Sequence, residues 1–361
     1  MTTSSVYPLE FKPNLAEAAE RWEAFYAGEI IDRPLVCITA PLGPDRRVGE
    51  AGRYHDRVFG DMDELLDRVL VDASRTYWGG EEIPAFNPSF GPDEIAVFCG
   101  SDSDFKWSKD SGDTNWSVPY IHDWEQALPI TLKTDHPLWQ RLLALYRRAA
   151  ERLEGKMLIS SLDLHTNMDL LAAARGPDRL CIDLVERPEV IDEAMKSARA
   201  VFPQVWEACA EAGGMKERGY YHGMYSMEGA AILQCDFSCM IGPAMFARWV
   251  LPALEEEARI VRHAYYHWDG PTALTHTEAL CASDGLHTMS YVPGDGRGSH
   301  IDYLDLLKRV QSLGKPVAFS GSPEECQVAH RELRPEKVQY GTWAGSPQEA
   351  ENLLRWFVDN T

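Results

Sequence analysis

The chain has 361 residues, 45% hydrophobic and 25% charged, which suits one large globular domain or a domain with an extension. Its 35 basic and 56 acidic residues leave a net charge of −21, which repels nucleic acid and anionic membranes and disfavours a polycarboxylate substrate unless a local basic pocket exists. No apolar run reaches the roughly 18 residues of a membrane span, the opening MTTSSVYPLEFKP lacks a signal-peptide layout, and eight cysteines without a CxxC pair read as reduced thiols of a cytoplasmic protein.

Residues 1–13 read as an extended arm, followed by a helix from Leu15 to Gly28 with Asn14 as N-cap. Arg33-Pro34 introduces the first buried strand, Leu35–Thr39. Residues 61–73 form an amphipathic helix with an Asp-x-x-Glu capping pattern. From Tyr77 to Pro129 the chain is irregular and rich in Gly, Pro, Asp and aromatics, with one strand candidate at Ile95–Cys99. Trp107, Trp116 and Trp124 in this excursion either wall a pocket or pack it onto the core. A helix follows at Leu138–Leu153, then a strand at Met157–Leu162 that ends in Asp163-Leu164-His165-Thr166-Asn167. Asp163 and His165 are two apart, so both face one side if the strand persists; the alternative is a helix cap with an incidental histidine. A long helix is expected over Glu189–Ala212, closed by Gly213-Gly214, and Tyr220–Tyr225 forms an aromatic approach to the next segment.

Residues 228–298 carry three short apolar runs of strand composition, Ala230–Cys235, His263–Trp268 and Leu286–Val292, each separated from the next by a helical segment. Each run stops at polar residues: Asp236, then His267-Trp268-Asp269-Gly270, then Pro293-Gly294-Asp295-Gly296. Further on come helix Tyr303–Leu313, strand Pro316–Ser320, helix Pro323–Leu333, strand Lys337–Tyr340 and helix Pro347–Val358. Strands near residues 35, 96, 158, 232, 264, 288, 317 and 338 make eight βα units in order. The expected fold is therefore an α/β (β/α)8 TIM barrel spanning 1–361, with an N-terminal arm and helix at 1–33 and an irregular insertion at 77–129.

Chemistry in such folds collects at the carboxyl ends of the strands. His267 and Asp269, at i and i+2, are placed to point together into the mouth, and Asp236 ends the neighbouring strand. These three are the candidate catalytic residues, with His267 and Asp269 as metal ligands and Glu228, Asp236, His222 and His165 available to complete a shell. Metal-free acid/base work and a structural role remain alternatives for the pair. Asp163, His165, His222, Tyr291, Trp268 and Trp343 are expected to contact substrate, the two tryptophans by stacking a ring or capping a cation. The glycines around Asp295 and Arg297 permit close backbone approach to a ligand, but no phosphate-loop pattern follows them.

Gln234-Cys235-Asp236-Phe237-Ser238, then Gly242-Pro243, Phe246, Val250 and Leu251-Pro252, and finally His267-Trp268-Asp269-Gly270 resemble the core signature of the uroporphyrinogen decarboxylase superfamily. In that family the later strand ends in His-x-x-Gly, or in His-x-Cys-Gly in the zinc methyltransferase branch. The resemblance is concentrated in residues 228–300 and extends more weakly, through strand order, from Arg33 to the C-terminus. It implies a methyltransferase or demethylase acting on a small methylated substrate, a divalent metal such as zinc, a corrinoid protein or a thiol or folate as acceptor, and a homodimer. Asp269 stands where that branch has its first cysteine, and Thr342-Trp343-Ala344 holds none, so a thiolate-rich site is absent. Two rivals follow: a decarboxylase of a carboxylated ring, which needs arginines from Arg46, Arg47 or Arg53 in the loop resembling the decarboxylases' Ala-Gly-Arg-Tyr, and a non-catalytic binding barrel.

Overall fold

Short apolar runs bounded by glycine, proline and charge form the central sheet. The computed structural model describes residues 6–43, 53–108, 114–294 and 296–361. The sheet strands are β1 (Leu35–Pro41), β2 (Thr76–Gly80), β3 (Ala85–Phe86), β4 (Leu158–Ile159), β5 (Ala230–Gln234), β6 (His263–Asp269), β7 (Leu286–Val292), β8 (Val317–Ser320) and β9 (Val338–Trp343). Seven of them hydrogen-bond in the order β2-β1-β9-β8-β7-β6-β5, every pair parallel except β1 with β2. β1 and β8 are buried from both sides over most of their length, which is why they read as nearly continuous apolar runs. Beyond the β2 and β5 edges, β3 pairs with β4, Ser161 donates its amide to Tyr221, and Leu164 bridges to Leu233 of β5. Among the described residues no helix is long and apolar enough to cross a membrane.

The N-terminal helix covers the ends where β6 and β7 begin, and the arm before it lies on the β2 edge. Lys12 is buried and its Nζ donates to the carbonyls of Trp78 (2.9 Å) and Gly80 (2.6 Å) on the β2 edge. In this way a lysine occupies backbone acceptors that an exposed edge would offer to another chain. The following helix, Leu15–Tyr26, buries Trp22 and Phe25, and Tyr26 stacks on His263 with ring centroids 3.7 Å apart. Asn14 sits at the N-cap position without a side-chain capping bond, whereas Asp61 caps Met62–Ser74 through the amides of Asp63 and Glu64.

Three expectations are corrected. Ile95–Cys99 is not a strand but the body of a helix, Glu94–Cys99, buried on every side. A short run that is apolar all round has no period to separate strand from helix. The strands of that region are instead β2, β3 and a separate antiparallel pair, Phe105–Trp107 with Asn115–Ser117. The helix expected over 189–212 is two, Pro188–Arg199 and Phe202–Ala212. Pro203 has no N–H and its ring would clash with the carbonyl four residues back, so the second helix starts afresh around it. The strand expected over 157–162 is ordered as a ladder only at β4, and the polar stretch after it leaves the ladder.

The excursion packs with its own tryptophans. Trp124 is buried and donates Nε1 to Asp183 (2.8 Å), and Trp107 lies against His55 and Phe59. Trp116 is exposed.

Candidate functional site

Parallel register brings the polar strand ends together. Gln234 of β5 lies opposite His267 of β6, and Asp269 lies opposite Val292 of β7. Along β6 the side chains alternate: Ala264, Tyr266 and Trp268 are buried, while His263, Tyr265, His267 and Asp269 share the other, half-buried face. The chain leaves β5 at Cys235 and turns into a short 3-10 segment, Asp236–Met240. One ligand atom each from Asp236, His267 and Asp269 lies within 4.8 Å of the others.

Behind these three lies a charged layer from the segment after β4. The His165 ring sits between carboxylates, with Nε2 3.5 Å from Asp163, and Nδ1 3.5 Å from Asp169 and 3.9 Å from Asp236. Gln234 donates its amide to the other Asp163 oxygen at 2.6 Å. Asp169 accepts the backbone amides of Asp236 (2.9 Å) and Phe237 (2.8 Å). That carboxylate thereby sets where the chain turns after β5, and with it where the Asp236 side chain points.

The local electrostatics follow from this packing. Burial alone would raise the Asp163 carboxyl, but the charge and hydrogen bond of His165 hold it well below the usual range. Burial would likewise lower His165; Asp163 and Asp169 outweigh that and raise it well above an ordinary histidine, so the ring is an imidazolium at neutral pH. Asp236 is pushed up to about 7, first by desolvation and then by Asp169. Its side chain is 44% exposed, yet Oδ1 is buried and has no hydrogen-bond partner. His267 and His222 are both lowered by desolvation, against the pull of Asp163.

The remaining predicted residues divide cleanly. His222 joins the Asp163 and His267 side, with Nδ1 buried and unpartnered. Trp268 does not join the cluster: it points to the opposite face of β6, donates to the Ala273 carbonyl (3.0 Å) and meets the Tyr291 ring edge-on at 5.3 Å. Tyr291 is buried between Trp268 and Tyr303. Trp343 is half-exposed at the end of β9, in register with Thr39. Glu228 is turned outward onto Arg262 (2.9 Å), before β5 begins, and His300 accepts the Ser320 amide (2.7 Å). Arg53 is exposed just before the helix Tyr54–Phe59; Arg46, Arg47 and Asp295 lie outside the described residues.

Sequence reasoning passed over Asp169, Gln234 as a side-chain donor, and Cys239. Asp169 carried a usable signal, since it stands four residues after His165 at the start of a helix. Cys239 is exposed, and its thiol is pushed up by desolvation and by the charges of Asp236 and Asp269, which places it on the same rim.

Asp236, His267 and Asp269 could hold a divalent cation. The donor set is one imidazole nitrogen and two carboxylate oxygens, which suits zinc or a harder ion such as manganese or iron. The buried, unpartnered Asp236 Oδ1 fits such a ligand, because a buried acceptor without a partner is costly.

The fold and the strand-end cluster define a class: α/β proteins with a mostly parallel sheet and a polar site at its carboxyl edge. Among solved structures the chain is similar in fold to a methyltransferase from Methanosarcina mazei, with a TM-score of 0.60 and 12% sequence identity, covering 95% of this chain and 98% of that one. No protein-family model matches the chain, and no curated protein does.

Proposed function

We propose that the chain is a methyl-transferring enzyme of the uroporphyrinogen decarboxylase superfamily type, on a closed eight-stranded barrel, that handles a small neutral or cationic methylated substrate beside a divalent metal held by Asp236, His267 and Asp269. The observation that carries this reading is the meeting of those three donors within 4.8 Å at the ends of two adjacent parallel strands. The fold likeness to a methyltransferase and the residue pattern from Gln234 to Gly270 support it.

A divalent ion bound there would lower the pKa of a coordinated thiol or water and so supply a nucleophile at neutral pH. The chain's own residues do the rest. His165 holds a proton on each ring nitrogen, facing Asp163 and Asp169, and keeps that layer from repelling itself. Gln234 fixes Asp163, and Asp169 fixes the turn that presents Asp236. Even with a divalent ion in place, four carboxyl groups and one imidazole leave no surplus of positive charge to hold a polycarboxylated ring, which weighs against the decarboxylase rival. The absence of cysteine from the His267-x-Asp269 pair supports a harder ion than that of a thiolate site. The acceptor in this reading is a thiol, a folate or a corrinoid carried by a partner protein.

The test is elemental analysis of the purified protein after exchange into zinc, manganese or iron(II), with His267→Ala and Asp269→Ala alongside. Stoichiometric metal in the wild type and its loss in both variants is the expected result. Full metal occupancy in His267→Ala would remove this site from consideration.

A further inference from the structure

Behind the carboxylate that holds the 236–237 turn, Glu257 and Asn167 form a further set of buried contacts. Glu257 lies on the helix Leu251–Val261, which leads directly into β6. Its carboxyl is buried and takes hydrogen bonds from Thr166 Oγ1 (2.6 Å) and Asn167 Nδ2 (3.3 Å). Asn167 Nδ2 also reaches the Gln234 carbonyl at the end of β5 (3.2 Å), and its Oδ1 accepts the Met168 amide (2.6 Å). Asn167 begins the helix Asn167–Arg175 with φ of 53°, a left-handed backbone rare for a residue with a side chain. Two residues further along that helix is Asp169, which holds the amides of Asp236 and Phe237.

We propose that Glu257 and Asn167 are positioning residues: they lock the start of the Asn167–Arg175 helix so that Asp169 clamps the 236–237 turn and aims Asp236 at His267 and Asp269. A strained residue persists only where its surroundings over-determine it, and here the surroundings are Glu257, Thr166 and the last carbonyl of β5. The device ties the helix before β6 to the end of β5, so the two strands that carry the candidate ligands keep a fixed relation. Burial pushes the Glu257 carboxyl up to about 8, so a neutral side chain of the same shape can serve in its place. The consequence for metal rests on the function proposed above; the clamp itself does not.

The experiment uses the full chain with Glu257→Leu, Glu257→Gln and Asn167→Gly. Hydrogen exchange of the metal-free protein, read at the Asp236 and Phe237 amides, tests the clamp directly. Protection there falls about fivefold to tenfold in Glu257→Leu, the factor one hydrogen bond is worth, and stays within about twofold of wild type in Glu257→Gln. Asn167→Gly keeps the left-handed backbone without strain but frees the Gln234 carbonyl, the Glu257 carboxyl and the Met168 amide, so its melting temperature falls, with the loss of protection concentrated at the same two amides. Zinc affinity then weakens about 10-fold to 100-fold in the Leu and Gly variants, as for other residues that orient ligands. Wild-type protection at 236–237 in both of those variants overturns the proposal. So does a uniform loss of protection throughout Glu257→Leu with none in Asn167→Gly, which is the signature of a merely structural residue. If the wild type binds no metal, the proposed function fails, and the amide protection still decides the clamp.

Discussion

Replacing Asp169 by alanine is the sharpest single perturbation of this site. The carboxylate accepts the Asp236 and Phe237 amides at 2.9 and 2.8 Å, and both donors lose their partner when it is removed. An orphaned buried N–H costs about 1–3 kcal/mol, so two cost about 4 kcal/mol together. An unfolding entropy of about 2.1 cal/mol/K per residue gives about 0.76 kcal/mol/K for 361 residues. The expected fall in melting temperature is therefore about 5 °C. Scanning calorimetry of the metal-free protein at neutral pH measures it, with Asp169→Asn as the control. Asparagine keeps the volume and one acceptor oxygen, so about half of the loss is expected. The displaced turn also weakens zinc binding about 10-fold to 100-fold, measurable by competition with a chelating dye. A melting temperature within about 1 °C of wild type would refute the reasoning, because the 236–237 amides would then be satisfied without Asp169.

Other outcomes are equally open to measurement. Glu94 is fully buried, with Oε1 unpartnered, and burial pushes its carboxyl from 4.5 up to about 8. Below pH 4.5 both folded and unfolded states are protonated; between 4.5 and 8 only the folded state keeps the proton, so stability falls as pH rises. At about 1.4 kcal/mol per unit, the gap between Glu94→Gln and wild type widens by up to about 5 kcal/mol from pH 4.5 to 8, and parallel melting curves across that range would rule this out. Trp268→Ala destabilises by about 3–5 kcal/mol through the cavity and the lost bond to Ala273, yet leaves zinc affinity unchanged, since the ring lies on the far face of β6. A tenfold or larger loss of affinity in that variant would place Trp268 at the site after all. Lys12→Met frees the Trp78 and Gly80 carbonyls and exposes the β2 edge. Light scattering should show more self-association than in wild type, and an unchanged profile would deny the lysine its edge-capping role.

Much of the architecture was legible because it depends on local pattern. The runs that became β5, β6, β7, β8 and β9 are short, apolar and bounded by turn residues, and each expected range overlaps the strand observed. The i, i+2 spacing of His267 and Asp269 placed both on one face of β6, and the same period of two put Trp268 on the other. Grouping Trp268 with His267 and Asp269 overlooked that alternation. The Ile95–Cys99 run could not be assigned, because being buried all round leaves no amphipathic signal.

The sequence by itself determined the strands β1 and β5 to β9 and the polar residues that follow β5, β6 and β7, but not the strands of the excursion. It could not reveal that Asp169 holds the turn after β5, or that Glu257, in a run of three glutamates that reads as a solvated helix face, is buried and bonded to Thr166 and Asn167. Those contacts join residues 67 to 91 positions apart in the chain. Periodicity reports only which way a side chain faces from its own element. Which distant partner it meets there is decided by the packing of elements against one another, and the candidate site is made of such meetings.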